Sequence, residues 1–237
     1  MVERDTHYSP TGVRTAAQID AGLRSYMLTV YNYMAIALAV TGFVALGASQ
    51  SQELMQLIYA TPLKWVVMLA PLGMVFFFGK ALNSFSVAGA QMFFWAFAAL
   101  MGLSLSYIFL VYTGASVAKT FFVTAAAFGS LSLYGYTTKK NLSAMGSFMV
   151  MGLFGLIIAM VVNIFLQSAM MDFVISAGGV LIFAGLTAWD TQKIKLMYME
   201  SDHSDVASKK AIMGALTLYL DFINMFLFLL RFMGNRE

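Results

Sequence analysis

Long apolar runs separated by short polar stretches organise this sequence, and their lengths match membrane crossings. A helix rises 1.5 Å per residue and a hydrocarbon core is about 30 Å thick, so a crossing needs about 20 mainly apolar residues. Seven runs fit: 27–48, 65–78 or slightly beyond, 91–111, 117–136, 145–166, 173–191 and 212–230. Short connections such as 112–116 and 167–172 imply antiparallel neighbours in a compact bundle. Ahead of the first run lies a polar, mixed-charge segment, 1–24, with no apolar stretch behind a basic start. It reads as a cytoplasmic tail rather than a cleavable signal. The predicted fold class is therefore all-α: a polytopic membrane protein in which 25–237 forms a single seven-transmembrane-helix domain.

Composition agrees. The chain is 60% hydrophobic and 11% charged, against about 25% charged in a soluble domain, and its mean hydropathy is +0.79. Nineteen glycines fit close approach of membrane helices. The absence of cysteine removes disulfides, thiolate metal sites and cysteine nucleophiles. The net charge of +3 reflects loop lysines and needs no nucleic-acid partner.

Loop charge predicts orientation. With an inside N-terminus, Arg4, Arg14, Arg24, Lys80, Lys139, Lys140, Lys193, Lys195, Lys209 and Lys210 lie inside, and Lys64, Lys119, Arg231 and Arg236 outside. Ten against four favours a cytoplasmic N-terminus. A re-entrant seventh segment would move Arg231 and Arg236 inside and strengthen the bias, so both topologies stay open at this level.

Two aspartates fall inside apolar runs. A carboxylate at membrane depth costs about 2.5–3.5 kcal/mol on insertion scales, so it normally faces a partner or a water-filled cavity. Asp190 precedes Lys193 by three residues, and Asp221 follows Lys210 by eleven. Both are expected in the cytoplasmic half of the bundle, within reach of each other if their helices adjoin. Thr217, Asp221 and Asn224 share one face of the seventh helix, and Thr187, Asp190 and Thr191 form a patch on the sixth. Each seam is expected to find partners inside the protein, because lipid offers no hydrogen bonds. The competing reading has Asp190 at the boundary, snorkelling to water and pairing with Lys193 or Lys195. Asn32, Asn163 and Asn224 read as interhelical glue. His7 and His203, in polar segments, do not read as metal ligands.

The segments 87–91, 97–109, 132–138, 183–194 (FAGLTAWDTQKI) and 216–224 (LTLYLDFIN) resemble the Bax inhibitor-1 family, in its bacterial branch. The Asp-Thr-Gln-Lys-Ile and Leu-Tyr-Leu-Asp-Phe-Ile-Asn blocks, in this order, carry the specificity. The resemblance implies a bundle with the last helix central, wrapped by the other six. It implies a pH-sensitive pair formed by Asp190 and Asp221, and a pH-dependent calcium leak across a bacterial inner membrane, with calcium and protons as cargo. Some bacterial relatives are instead linked to modulation of a membrane-bound AAA protease. In some members an arginine of the second helix latches the sixth-helix aspartate. Here the second span has no arginine, and Lys80 is the nearest candidate.

Two adjacent carboxylates do not ionise together cheaply, so the pair would share a proton, then rearrange or attract a cation on losing it. Calcium takes six to eight oxygens, and two aspartates aided by Thr217, Asn224, backbone and water form an incomplete shell suited to transient binding. Either direction of pH gating is compatible with this chemistry. No tightly bound cofactor is expected, and no enzyme activity. An intramembrane aspartyl protease would need a Gly-x-Gly-Asp motif, whereas Asp221 follows Leu220. A proton-coupled transporter would be marked by helices broken at Gly or Pro around a midplane site, which no pair of segments clearly shows.

Overall fold

The structure is a computed structural model that describes residues 16–235, with side chains from Asp20 onward. The tail reading for 1–24, with Arg4, His7 and Arg14, falls largely outside these residues, as does Arg236. The described residues form α1 (Ala16–Ser49), α2 (Gln52–Tyr59), α3 (Leu63–Ser84), α4 (Val87–Leu105), α5 (Ile108–Val111), α6 (Gly114–Thr137), α7 (Ser143–Leu166), α8 (Ala169–Met197) and α9 (Ser204–Met233). Seven crossings are long and apolar enough for a bilayer, with α4 and α5 together making the third.

Local chemistry sets the boundaries. Ser51, Ser86, Thr113 and Ser168 each accept, through the side-chain oxygen, a backbone N–H three residues on, which satisfies a donor that the first helical turn leaves free. The short amphipathic α2, with Met55 and Ile58 buried, was not among the predicted elements. α7 stops at Gln167, whose φ of 49° is left-handed. Asn163 Oδ1 accepts the next N–H, from Ser168. Asn163 is thus a helix-ending residue rather than interhelical glue.

Burial ranks the helices. In its apolar window α9 is 67% buried, and α7 only 6%. α9 packs on α8, α1, α6, α4 and α3. It is the central helix, but the expected wrap by all six others needs correcting, because α7 packs on α8 instead. The reason is local. Gly146 of α7 admits the Trp189 ring, and Gly152 lies against Ile182, so the small-residue face of α7 is spent on α8.

The seventh segment is one unbroken helix, long enough to cross fully. At 30 residues α9 is about 45 Å long. Its C-terminal end is pinned at the start of α8 by the Arg231–Asp172 ion pair, whose Nε–Oδ2 contact is 3.0 Å. Asn235 N–H also donates to Ser116 Oγ at 2.9 Å. At the opposite end Lys210 donates to Asp202 and to the Met197 carbonyl. A re-entrant segment would bring Arg231 back toward Lys210, so that alternative is dropped.

Candidate functional site: a buried carboxyl pair

The site is built by the α8–α9 hairpin. Its register is set where Gly214 admits Ile194 and Gly179 admits the Phe228 ring. An antiparallel pair in this register brings Asp190 and Asp221 face to face. Both are buried, at 7% and 5% exposure, and their carboxyl groups lie within hydrogen-bonding reach of each other. Asp221 Oδ2 is enclosed and has no hydrogen-bond partner among the described residues. An enclosed carboxyl oxygen without a partner is costly unless a proton or cation joins it.

Asp221 stands deeper than a purely cytoplasmic-half placement implies. It is eleven residues from Lys210 and ten from Arg231, about 15 Å from each charged end of the helix. Asp190 is not a snorkelling boundary residue. Its neighbour Lys193 is exposed, lies over the Trp189 ring at 5.1 Å, and acts on Asp190 only through its field.

The expected supporting residues behave differently from the prediction. Thr187, Thr217 and Asn224 donate to Phe183, Met213 and Leu220 carbonyls, each four residues back on its own helix. These three are therefore satisfied within their own helices, whereas Thr191 and the two aspartates face other helices. Lys80 does not reach the pair: it is exposed near the end of α3, a helix that packs on α4 and α9 but not on α8, and it forms no ion pair with either aspartate. Its face of α3 turns outward, which corrects the latch expectation.

Other side chains hold the site. Thr191 donates to the Thr187 carbonyl at 2.7 Å, which leaves its oxygen to accept from Ser132 at 2.9 Å, and Ser132 accepts from Tyr31 at 2.7 Å. This chain ties α1 and α6 to α8, beside Asp190. A second chain runs from the Tyr219 hydroxyl to Thr41 at 2.7 Å and on to the Ala98 carbonyl at 2.8 Å, joining α9 to α1 and α4. Gln192 spans the α6–α7 loop, donating to the Lys140 carbonyl and accepting from Leu142 N–H, each at 2.8 Å. Of these residues only Thr191 was singled out from sequence, as part of the α8 patch, and its link to Ser132 and Tyr31 was not. The available signal was a Thr-Gln pair directly following a membrane aspartate. Next to Asp221, the Phe222 ring packs against Phe121 and Phe128, and further along α9 Phe228 stacks on Phe183.

No cluster of three or more His, Cys, Asp or Glu side chains occurs among the described residues. The pair therefore offers two carboxyls and no third acidic ligand.

Comparison with known proteins finds relatives along nearly the whole chain. A family model described as "Inhibitor of apoptosis-promoting Bax1" matches residues 23–237. RP147 of Rickettsia prowazekii (strain Madrid E), itself uncharacterized, is 50% identical over 218 residues, covering 92% of each chain. The inner membrane protein YbhL of Escherichia coli (strain K12) is 45% identical over 220 residues, 92% of this chain and 94% of its own. An uncharacterized protein of Borreliella burgdorferi is 41% identical over 214 residues, 90% of this chain and 92% of its own.

Proposed function

The chain belongs to the Bax inhibitor-1 family, and on that footing we propose that it is a non-enzymatic, pH-sensitive calcium leak channel of a bacterial inner membrane, gated by Asp190 and Asp221. The observation that carries the reading is the meeting of two buried carboxyls, one oxygen left without a partner, at the interface of the two helices that pack most extensively. Two negative charges facing each other in an apolar setting repel strongly, so the pair is cheapest with one shared proton. Removing the proton leaves a choice between driving the helices apart and admitting a cation. Both outcomes change the packing of α9, which touches five other helices.

On this reading the Phe121, Phe128 and Phe222 rings and the Phe183–Phe228 stack would act as the barrier between Asp221 and the Arg231 end. Opening must separate those rings or shift α9 relative to α6 and α8. Calcium passing the pair would meet two carboxylates and complete its shell with water and backbone oxygens, which is a transit site rather than a store. The topology that goes with this reading places the N-terminus in the cytoplasm.

Calcium entry into proteoliposomes, followed across pH, tests the proposal. Wild type is expected to leak with a pH profile that Asp190→Asn and Asp221→Asn each flatten. Flux no greater than that of empty liposomes at every pH would overturn it. The competing reading, restraint of a membrane-bound AAA protease, draws on the polar segment ahead of α1. Deleting residues 1–15 should leave the leak intact, whereas restraint of a protease through that segment would be lost.

A further inference from the structure

α1 and α6 are neighbours that do not pack along their length. Between their inner halves lies a groove of about 560 Å³, walled by Met27, Leu28, Phe128 and Leu133, with Gly129 at its side. Leu28 and Leu133 are more than half exposed, so the groove opens sideways at bilayer depth. A Cβ on Gly129 would meet nothing within 4 Å, so the space is open rather than filled by a neighbouring helix.

The mouth is charged. Arg24 lines it from α1 and Tyr136 from α6, and Lys195 Nζ stands 5.2 Å from the centre of the Tyr136 ring. Arg24 forms no ion pair with a carboxylate among the described residues. By the loop-charge rule this end of the bundle faces the cytoplasm. An apolar slot leading from an arginine at a cytoplasmic interface complements one ligand chemistry, a chain-bearing anionic headgroup. A second, outer groove on the same seam, walled by residues such as Leu46 and Phe122, has no charged residue in its lining.

We propose that the inner α1–α6 groove binds one anionic phospholipid of the cytoplasmic leaflet. Its phosphate sits on Arg24 and one acyl chain lies between Leu28 and Leu133. The site has a reach beyond itself. Tyr31 lines the groove and begins the hydroxyl chain through Ser132 to Thr191, next to Asp190. A seated acyl chain therefore braces the contact that holds α1 and α6 to the carboxyl-bearing helix. The inference does not depend on which ion, if any, the protein conducts.

Native mass spectrometry of the full chain, titrated in detergent with phosphatidylglycerol or phosphatidylcholine of identical acyl chains, tests it. Wild type should retain one phosphatidylglycerol about fivefold more tightly than phosphatidylcholine, the scale of one basic residue near an anionic headgroup. Arg24→Gln should bring the two lipids level. Gly129→Leu should remove the retained lipid of both kinds while the thermal transition stays at or above that of wild type. Equal retention of both lipids by wild type would overturn the proposal. So would an unchanged preference in Arg24→Gln, or a second copy of the chain displacing the lipid from the seam.

Discussion

α7 and α9 invert the rule that apolar means buried. α7 is the most apolar crossing, with a mean hydropathy of 2.6, and it is 6% buried. α9 has a mean hydropathy of 1.8, holds Thr217, Asp221 and Asn224, and is 67% buried. In water the hydrophobic effect drives apolar faces inward. In a bilayer the lipid is as apolar as any leucine, so nothing drives α7 inward, whereas a carboxyl or hydroxyl must find protein. The polar residues of a membrane chain therefore mark its core, and its purest apolar run marks its rim.

Substituting glycines separates these two regions most sharply. A Cβ on Gly135 would stand 2.1 Å from the Ala188 carbonyl oxygen, backbone against backbone at the α6–α8 crossing. Gly135→Leu is expected to cost about 3 kcal/mol by overpacking. Gly155 on α7 has nothing within 4 Å. Gly155→Ala there is expected to stabilise by about 0.5–1 kcal/mol, from helix propensity alone. Unfolding in mixed micelles measures both, and similar costs at the two sites would break the comparison.

Arg231→Gln removes the pair with Asp172 that fixes the end of the hairpin opposite Lys210. Both side chains are about one-third exposed or less, so a loss of about 1 kcal/mol is expected, reduced at high salt. The same substitution at a lipid-facing α7 position has no counterpart, because α7 carries no charged residue. A salt-independent loss would show that the pair acts by packing rather than charge.

The hydroxyl chains should be weaker still. Tyr31→Phe and Ser132→Ala are each expected to cost about 0.6 kcal/mol, the average measured for interhelical hydrogen bonds in membranes. The double variant should cost less than the sum, since either change breaks the same link. Full additivity in a double-mutant cycle would mean that the two hydroxyls act separately.

At the rim, effects should nearly vanish. Phe165 is 84% exposed at the end of α7. Phe165→Ala is expected to change stability by no more than about 0.5 kcal/mol. A large loss there would point to an undescribed partner on that face and would weaken the inverted rule.

The same physics explains what the sequence made legible. All seven crossings were readable because each has to match bilayer thickness whatever it packs against. Asp190 and Asp221 were readable because a carboxyl in such a run has few reasons to be there. The helix order around the centre was less so. α7 and α9 are both apolar runs, and only the polar content of α9 sets them apart. α2 was missed because eight amphipathic residues lie parallel to no length rule, although Ser51 and Glu53 mark its start. The Tyr31–Ser132–Thr191 chain was hidden because it joins residues 101 and 59 positions apart, and single hydroxyls in apolar runs are common. Lys80 was misplaced because a lysine near a helix end has an equally good exit to the surface.

The central claim is that Asp190 and Asp221 titrate as one unit, and infrared difference spectroscopy of the carboxyl stretch across pH tests it most directly. The account predicts a protonated-carboxyl band in wild type whose titration midpoint moves in both Asp190→Asn and Asp221→Asn, since removing either partner changes the other's environment. Two bands that titrate independently, each lost with one substitution while the other keeps its wild-type midpoint, would contradict it.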